Sequence, residues 1–62
     1  MKTVYVLRCR FTDQDAWLDP VYYRKRKERD NDASASRIIG GFRTHSYEEK
    51  KTQEEIDELV DG

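Results

Sequence analysis

The sharpest pattern in this chain lies at its start. From Lys2 to Phe11 the side chains alternate: Thr3, Tyr5, Leu7, Cys9 and Phe11 fall on one face, Val4, Val6, Arg8 and Arg10 on the other. A period of two with β-branched and aromatic residues predicts a strand. Its first face is expected to be core and its second to turn outward. Thr12-Asp13-Gln14-Asp15 has the form of a capping box, which predicts one short helical turn over Asp13–Leu18, ended by Asp19-Pro20. Beyond Pro20 the pattern has two readings. Asp19-Pro20 suits a helix start, whereas Val21-Tyr22-Tyr23 favours a strand headed by proline. The strand is preferred, as an edge strand whose lysines and arginines up to Arg29 discourage unwanted pairing. Asp30–Ala35 reads as a polar turn or loop.

A further strand is expected at Ser36–Thr44, with Ile38, Gly40, Phe42 and Thr44 on one face and Arg37, Ile39, Gly41 and Arg43 on the other. A glycine pair inside a strand points to a bulge or to close approach of another backbone. Ser46-Tyr47-Glu48-Glu49 is a second capping-box signature and predicts a helix from Tyr47 to about Val60. That helix would dock Ile56, Leu59 and Val60 on the sheet. Asp57, Glu58 and Asp61 at its C-terminal end oppose the helix dipole, a local cost that a basic partner would offset. The predicted fold is α+β over residues 1–62 as a single domain: two or three antiparallel strands with one C-terminal helix on one face.

Composition adds a constraint. The chain has 62 residues, of which 35% are hydrophobic and 40% charged. So short a chain buries only about 60% of its unfolded surface, while ordering it costs roughly 1.5 kcal/mol per residue. A lone Cys9 rules out a disulfide framework. Cys9 and His45 fall short of the roughly four ligands of a closed zinc site. Neither a metal nor a cofactor is expected. The remaining support is association, with a second copy (a homo-oligomer) or with a larger protein. No stretch approaches the ~18 apolar residues of a membrane span, no secretory signal pattern is recognisable, and an unpaired cysteine fits a reducing cytoplasm.

Charge is segregated. Residues 21–45 carry seven basic side chains against three acidic ones, and residues 46–62 carry two against seven. Such a chain can pair its halves internally or with a copy of itself. Catalysis is not expected: the carboxylate pairs Glu48/Glu49 and Glu54/Glu55 are adjacent on a helix and so do not converge, and a chain this short leaves little room for a ~300 Å³ concavity. A Cys9–His45 dyad is disfavoured against a buried small Cys9 and an exposed His45. Two binding readings remain. One is a protein interface, with Trp17, Tyr22, Tyr23, Arg24, Arg26 and Arg43 as the candidate contact residues. The alternative is nucleic acid, since segment 22–29 sets two tyrosines beside five basic groups, although the acidic C-terminal end and the net charge of −1 oppose it.

The opening strand Lys2–Leu7, followed after a variable middle by Arg37-Ile38-Ile39-Gly40-Gly41-Phe42-Arg43-Thr44 and a Ser46-capped charged helix, resembles small bacteriophage and bacterial accessory proteins. They share a short strand, a strand ending in Gly-x-Phe-Ser/Thr, and one helix. The likeness covers about half the chain, and Thr12–Ala35 departs from it. It implies no activity. It implies a phage-type protein that binds and inhibits or modulates a host protein in the host cytoplasm, for takeover or against defence.

Overall fold

A computed structural model describes all 62 residues. In chain order the elements are β1 (Lys2–Phe11), β2 (Val21–Tyr23), α1 (Arg26–Ile39), β3 (Phe42–Lys51) and α2 (Gln53–Asp61). The strands form one antiparallel sheet in the order β2-β1-β3. The register sets Tyr5 opposite Tyr23 and Glu48, Val6 opposite Tyr22 and Tyr47, and Arg10 opposite Arg43. The α+β class and the three-stranded antiparallel sheet are as the pattern predicts. The single helix is not: there are two, and they lie on opposite faces.

Strand alternation explains that layering. Val4, Val6, Tyr22 and Tyr47 share one face by register, and α2 covers them with Ile56 and Val60. Tyr5, Leu7, Tyr23 and Glu48 share the other, where α1 buries Ala33 and Arg29. Val4 and Val6, expected to point outward, are 0% exposed and anchor the larger of two thin cores. Only six residues are buried in all. With both faces half-covered and no thick core, backbone pairing and polar contacts carry an unusual share of the order.

α1 replaces the end of the edge strand predicted up to Arg29, the polar loop predicted at Asp30–Ala35 and the first half of the strand predicted at Ser36–Thr44. Its sequence, rich in Asp, Asn and Ser, has modest helix propensity, and Lys25 at its N-cap makes no side-chain cap bond. What recurs at helical spacing is Arg29, Ala33 and Ser36, the stripe turned toward the sheet. Arg29 is 4% exposed. Its Nη1 donates to the Tyr47 carbonyl at 3.1 Å, its Nε and Nη2 donate to Asp30 Oδ1 at 3.0 and 2.8 Å, and Glu48 Oε1 lies 3.5 Å from Nη1. The guanidinium carbon sits 5.5 Å from the centre of the Tyr5 ring. Burial works against this charge, but Asp30 and then Glu48 outweigh it and leave the guanidinium pKa raised. Gly40 and Gly41 then turn the chain into β3 with φ of 84° and 82°, a left-handed conformation that side chains rarely adopt. The pair is a helix stop, not a strand bulge.

β3 runs to Lys51, through the segment whose Ser46-x-x-Glu49 signature predicts a helix start. Ten residues of β1 offer partners all along this stretch, Val6 opposite Tyr47 among them, and the ladder overrides the local signal. The working capping box is the next one along. The Glu55 amide donates to Thr52 Oγ1 at 3.2 Å, and the Thr52 amide donates to Glu55 Oε1 at 3.1 Å. Of the three apolar residues expected to dock, Ile56 is buried, Val60 half-buried and Leu59 exposed. No helix forms at Asp13–Leu18, where a turn closes with the Gln14 amide on the Phe11 carbonyl.

Replacing Arg29 by Ala should cost about 2–3 kcal/mol in urea unfolding. That is less than the ~3–5 of a pair whose surviving partner is stranded in the interior, because Asp30 and Glu48 are about half exposed. Lysine should recover only part of the loss, since it lacks the fork that reaches two acceptors. Acid should also weaken the fold. Thr52 backbone and side-chain bonds hold the Glu55 carboxyl below its ordinary value, and Arg24, then Gln53, do the same for Asp57. Depressed carboxylates contribute stability that is complete above their unfolded pKa of about 4 and is lost as pH falls through the lower folded values. The urea midpoint should therefore fall on acidification below about pH 4, and less steeply in Arg24→Gln, where Asp57 loses its cation.

Candidate functional site

The face that α2 shares with Val4 and Val6 is only half covered by that helix. Alternation along β1 carries Arg8 and Arg10 onto the uncovered half, opposite His45 and Arg43 of β3. Residues 12–20 fold back over this half and are pinned by the arginines. Arg8 donates from Nε and Nη2 to the Leu18 carbonyl at 3.2 and 3.0 Å, and Arg10 Nη1 donates to the Gln14 carbonyl at 2.8 Å. The Leu18 amide reaches the Cys9 carbonyl at 2.7 Å. Trp17 is thereby laid beside Arg10, whose guanidinium carbon is 5.4 Å from the ring centre. The Trp17 and His45 rings lie 6.2 Å apart and the His45 and Tyr47 rings 5.2 Å apart.

On the other face, Phe11 and Phe42 pack with ring centres 4.8 Å apart, and Arg37 of α1 donates to Thr44 Oγ1 at 3.0 Å. Arg10, Trp17, Arg37, Phe42, Arg43 and Thr44 line an open groove of about 470 Å³. A concavity of that size was not expected in so short a chain. Beside it, the end of α1 leaves Ile38 84% and Ile39 79% exposed. The arginines of this end differ from the others. Arg24, Arg26 and Arg29 all form ion pairs with carboxylates, whereas Arg8, Arg10, Arg37 and Arg43 form none. Asp13 and Asp15, exposed on the covering segment, temper the local positive charge without pairing with it.

Of the six contact residues expected from the sequence, the fold brings Trp17 and Arg43 together in this groove. The other four lie elsewhere. Tyr22 packs half-buried against the Val4–Val6–Ile56 core. Tyr23 donates its hydroxyl to Asp32 Oδ2 at 2.8 Å, and burial, reinforced by Asp32, pushes its phenol well above the ordinary range. Arg24 Nη1 contacts Asp57 Oδ1 at 2.7 Å, and its Nη2 contacts Asp61. Arg26 is exposed, with Asp30 3.6 Å away. Arg10, Arg37 and Thr44 were not singled out from sequence, and Phe42 was not among the six. The alternation of β1 already placed Arg8 and Arg10 side by side, but it could not show which segment would cover them. Cys9 and His45 project to opposite faces of the sheet, because Cys9 is level with Thr44 and His45 with Arg8. No group of three His, Cys, Asp or Glu side chains converges in a metal-binding arrangement, and neither helix is long and apolar enough to cross a membrane. Comparison with protein-family models, with curated proteins and with solved structures found no match for this chain.

Proposed function

We propose that this chain is a non-enzymatic binding module that engages another protein through the Trp17–Arg43 end of its sheet. One observation carries the reading: the four arginines without a carboxylate partner gather at the same end as the exposed side chains of Phe11, Trp17, Leu18, Ile38 and Ile39. Arginine and aromatic residues around a groove are the composition of interface hot spots. The exposed Ile38 and Ile39 add apolar surface at this end, of the kind that marks interaction sites where it is contiguous. The complementary surface is an acidic one that carries an aliphatic or aromatic anchor. The resemblance to phage accessory proteins supports a host protein as the partner, inhibited or modulated in the host cytoplasm.

Nucleic acid is the second reading, and its original basis is weakened. Within segment 22–29, Arg24 and Arg29 are committed to internal pairs and both tyrosines are half-buried. What favours it now is the groove itself, where Arg10, Arg37 and Arg43 flank Trp17 and Phe42.

Affinity capture from bacterial lysate, with and without nuclease, separates the two. A nuclease-resistant protein partner is expected, with recovery lowered at least tenfold (about 1.4 kcal/mol) by Trp17→Ala or Arg43→Glu and unchanged by Arg26→Glu. The protein reading is overturned if capture vanishes with nuclease and the purified chain binds single-stranded RNA or DNA with affinity that falls steeply with salt.

A further inference from the structure

We propose that two copies of this chain pair edge to edge through β3, antiparallel, about a twofold axis at Ser46, to make one continuous six-stranded sheet. β3 is a ten-residue edge strand, bonded to β1 on one side only. The opposite edge of the sheet is β2, only three residues long. Long regular edges are templates for pairing unless they are blocked.

The hydrogen-bond parity of β3 can be fixed. The Thr12 amide donates to the Gly41 carbonyl at 3.0 Å, in line with the register that continues Phe11 opposite Phe42. Residues in hydrogen-bonded pairs alternate along an antiparallel ladder. Arg43, His45, Tyr47, Glu49 and Lys51 therefore turn their amides and carbonyls toward β1. Phe42, Thr44, Ser46, Glu48 and Lys50 turn theirs to the open edge. Outside the helices and the sheet ladder, the one hydrogen bond to the β3 backbone from Phe42 onward is that of Arg29, to the inward Tyr47 carbonyl. α1 packs mainly on β3 and reaches β1 and β2 as well, so in the dimer the two α1 helices share one face of the joined sheet, on either side of the seam.

Charge then selects the occupant and the register. Outward residues must face outward residues, so only a few registers are allowed. With the axis at Ser46, Arg43 lies opposite Glu49 of the second copy, twice, in the close non-hydrogen-bonded positions. His45 lies opposite Tyr47, Thr44 opposite Glu48, and Phe42 opposite Lys50; no like charges meet. Moving the axis to Tyr47 sets Arg43 against Lys51. Moving it to Glu48 sets that residue against itself and His45 against Lys51. At Thr44, Arg43 meets His45, and at His45 no carboxylate meets a cation. The order of signs along β3 thus makes this edge complementary to itself in one register. Glu48 already has Arg29 as its cation, so it can face Thr44 without strain on the charge balance.

This inference goes beyond the protein-partner reading and does not rest on it: Glu49 and Ser46 lie outside the groove. Sedimentation equilibrium over a wide concentration range should show a monomer–dimer equilibrium for the unaltered chain. Arg43→Glu and Glu49→Arg should each weaken it at least tenfold, and the double exchange R43E/E49R should restore it. Ser46→Pro should abolish the dimer while the circular dichroism of the monomer is kept, because the amide it removes faces the open edge. In a mixed sample of labelled and unlabelled chains, an intermolecular α-proton contact between His45 and Tyr47 is expected. A chain that stays monomeric throughout overturns the proposal. So does a dimer that survives both Ser46→Pro and the single charge reversals. Capture of another protein by Ser46→Pro tests the groove separately.

Discussion

The fold depends on one buried guanidinium. α1 offers the sheet only a methyl-sized apolar contact, Ala33, and could not be held by area alone: burial of one alanine is worth about a kilocalorie per mole. Exposed bonds from Tyr23 to Asp32 and from Arg37 to Thr44 help, and Arg29 supplies the one buried polar anchor. It spans from its own helix to β3, with Asp30 on one side and the Tyr47 carbonyl and Glu48 on the other, over the face of Tyr5. No buried side-chain polar atom in the chain is left without a hydrogen-bond partner. A buried charge is costly unless its donors are used, and here the bond geometry decides where α1 sits. The position of α1 in turn sets the Gly40–Gly41 turn and the start of β3, and therefore where Arg37, Phe42 and Arg43 meet.

This also explains what could be read in the sequence and what could not. β1 was legible because its alternation has period two over ten residues. The existence of β3 was legible at Phe42–Thr44, and the C-terminal end of α2 at Ile56 and Val60. α1 was not, because its buried stripe is Arg29, Ala33 and Ser36, and no hydrophobicity pattern marks an arginine as interior. The start of α2 was misplaced because Ser46-x-x-Glu49 and Thr52-x-x-Glu55 are the same local signal. Only pairing with β1, a contact between residues far apart in the chain, decides between them. The assignment of Val4 and Val6 to an outer face followed from expecting one helix; a second helix makes both faces interior. For the same reason the site was half visible. Trp17 and Arg43 could be picked out by type, but their company depends on how residues 12–20 fold over β1.

The segregated charge resolves into two uses. At the C-terminal end of α2, Asp57 and Asp61 face the negative end of the helix dipole. Arg24, just after β2, reaches both. The basic group that this helix end calls for comes from within the chain, which realises the internal pairing of basic middle and acidic end. These pairs are exposed and contribute modestly to stability. Their main consequence is subtraction: with Arg24, Arg26 and Arg29 all occupied, the arginines without a carboxylate partner are Arg8, Arg10, Arg37 and Arg43, at the opposite end of the sheet. A basic run of sequence and a basic surface are different things, and here they do not coincide.

Arg43 joins the two proposals made for this molecule. It lines the groove, and in the proposed dimer it faces a carboxylate of the second copy. Its charge cannot be given fully to both. A partner that binds the groove through Arg43 gains most from the monomer, and pairing of the β3 edges reduces the positive potential offered to that partner. Linkage requires the effect to be mutual: whatever factor dimerisation takes from groove affinity, groove occupancy takes from dimerisation. Arg10 and Arg37 lie in the groove without facing the edge carboxylate, so the electrostatic coupling falls on Arg43, while Phe42 and Thr44, which line the groove and also face the second copy, add a steric part. Replacing Glu49 by an uncharged residue removes the competition on the dimer side alone, which separates the contribution of Arg43 to self-association from its contribution to the groove.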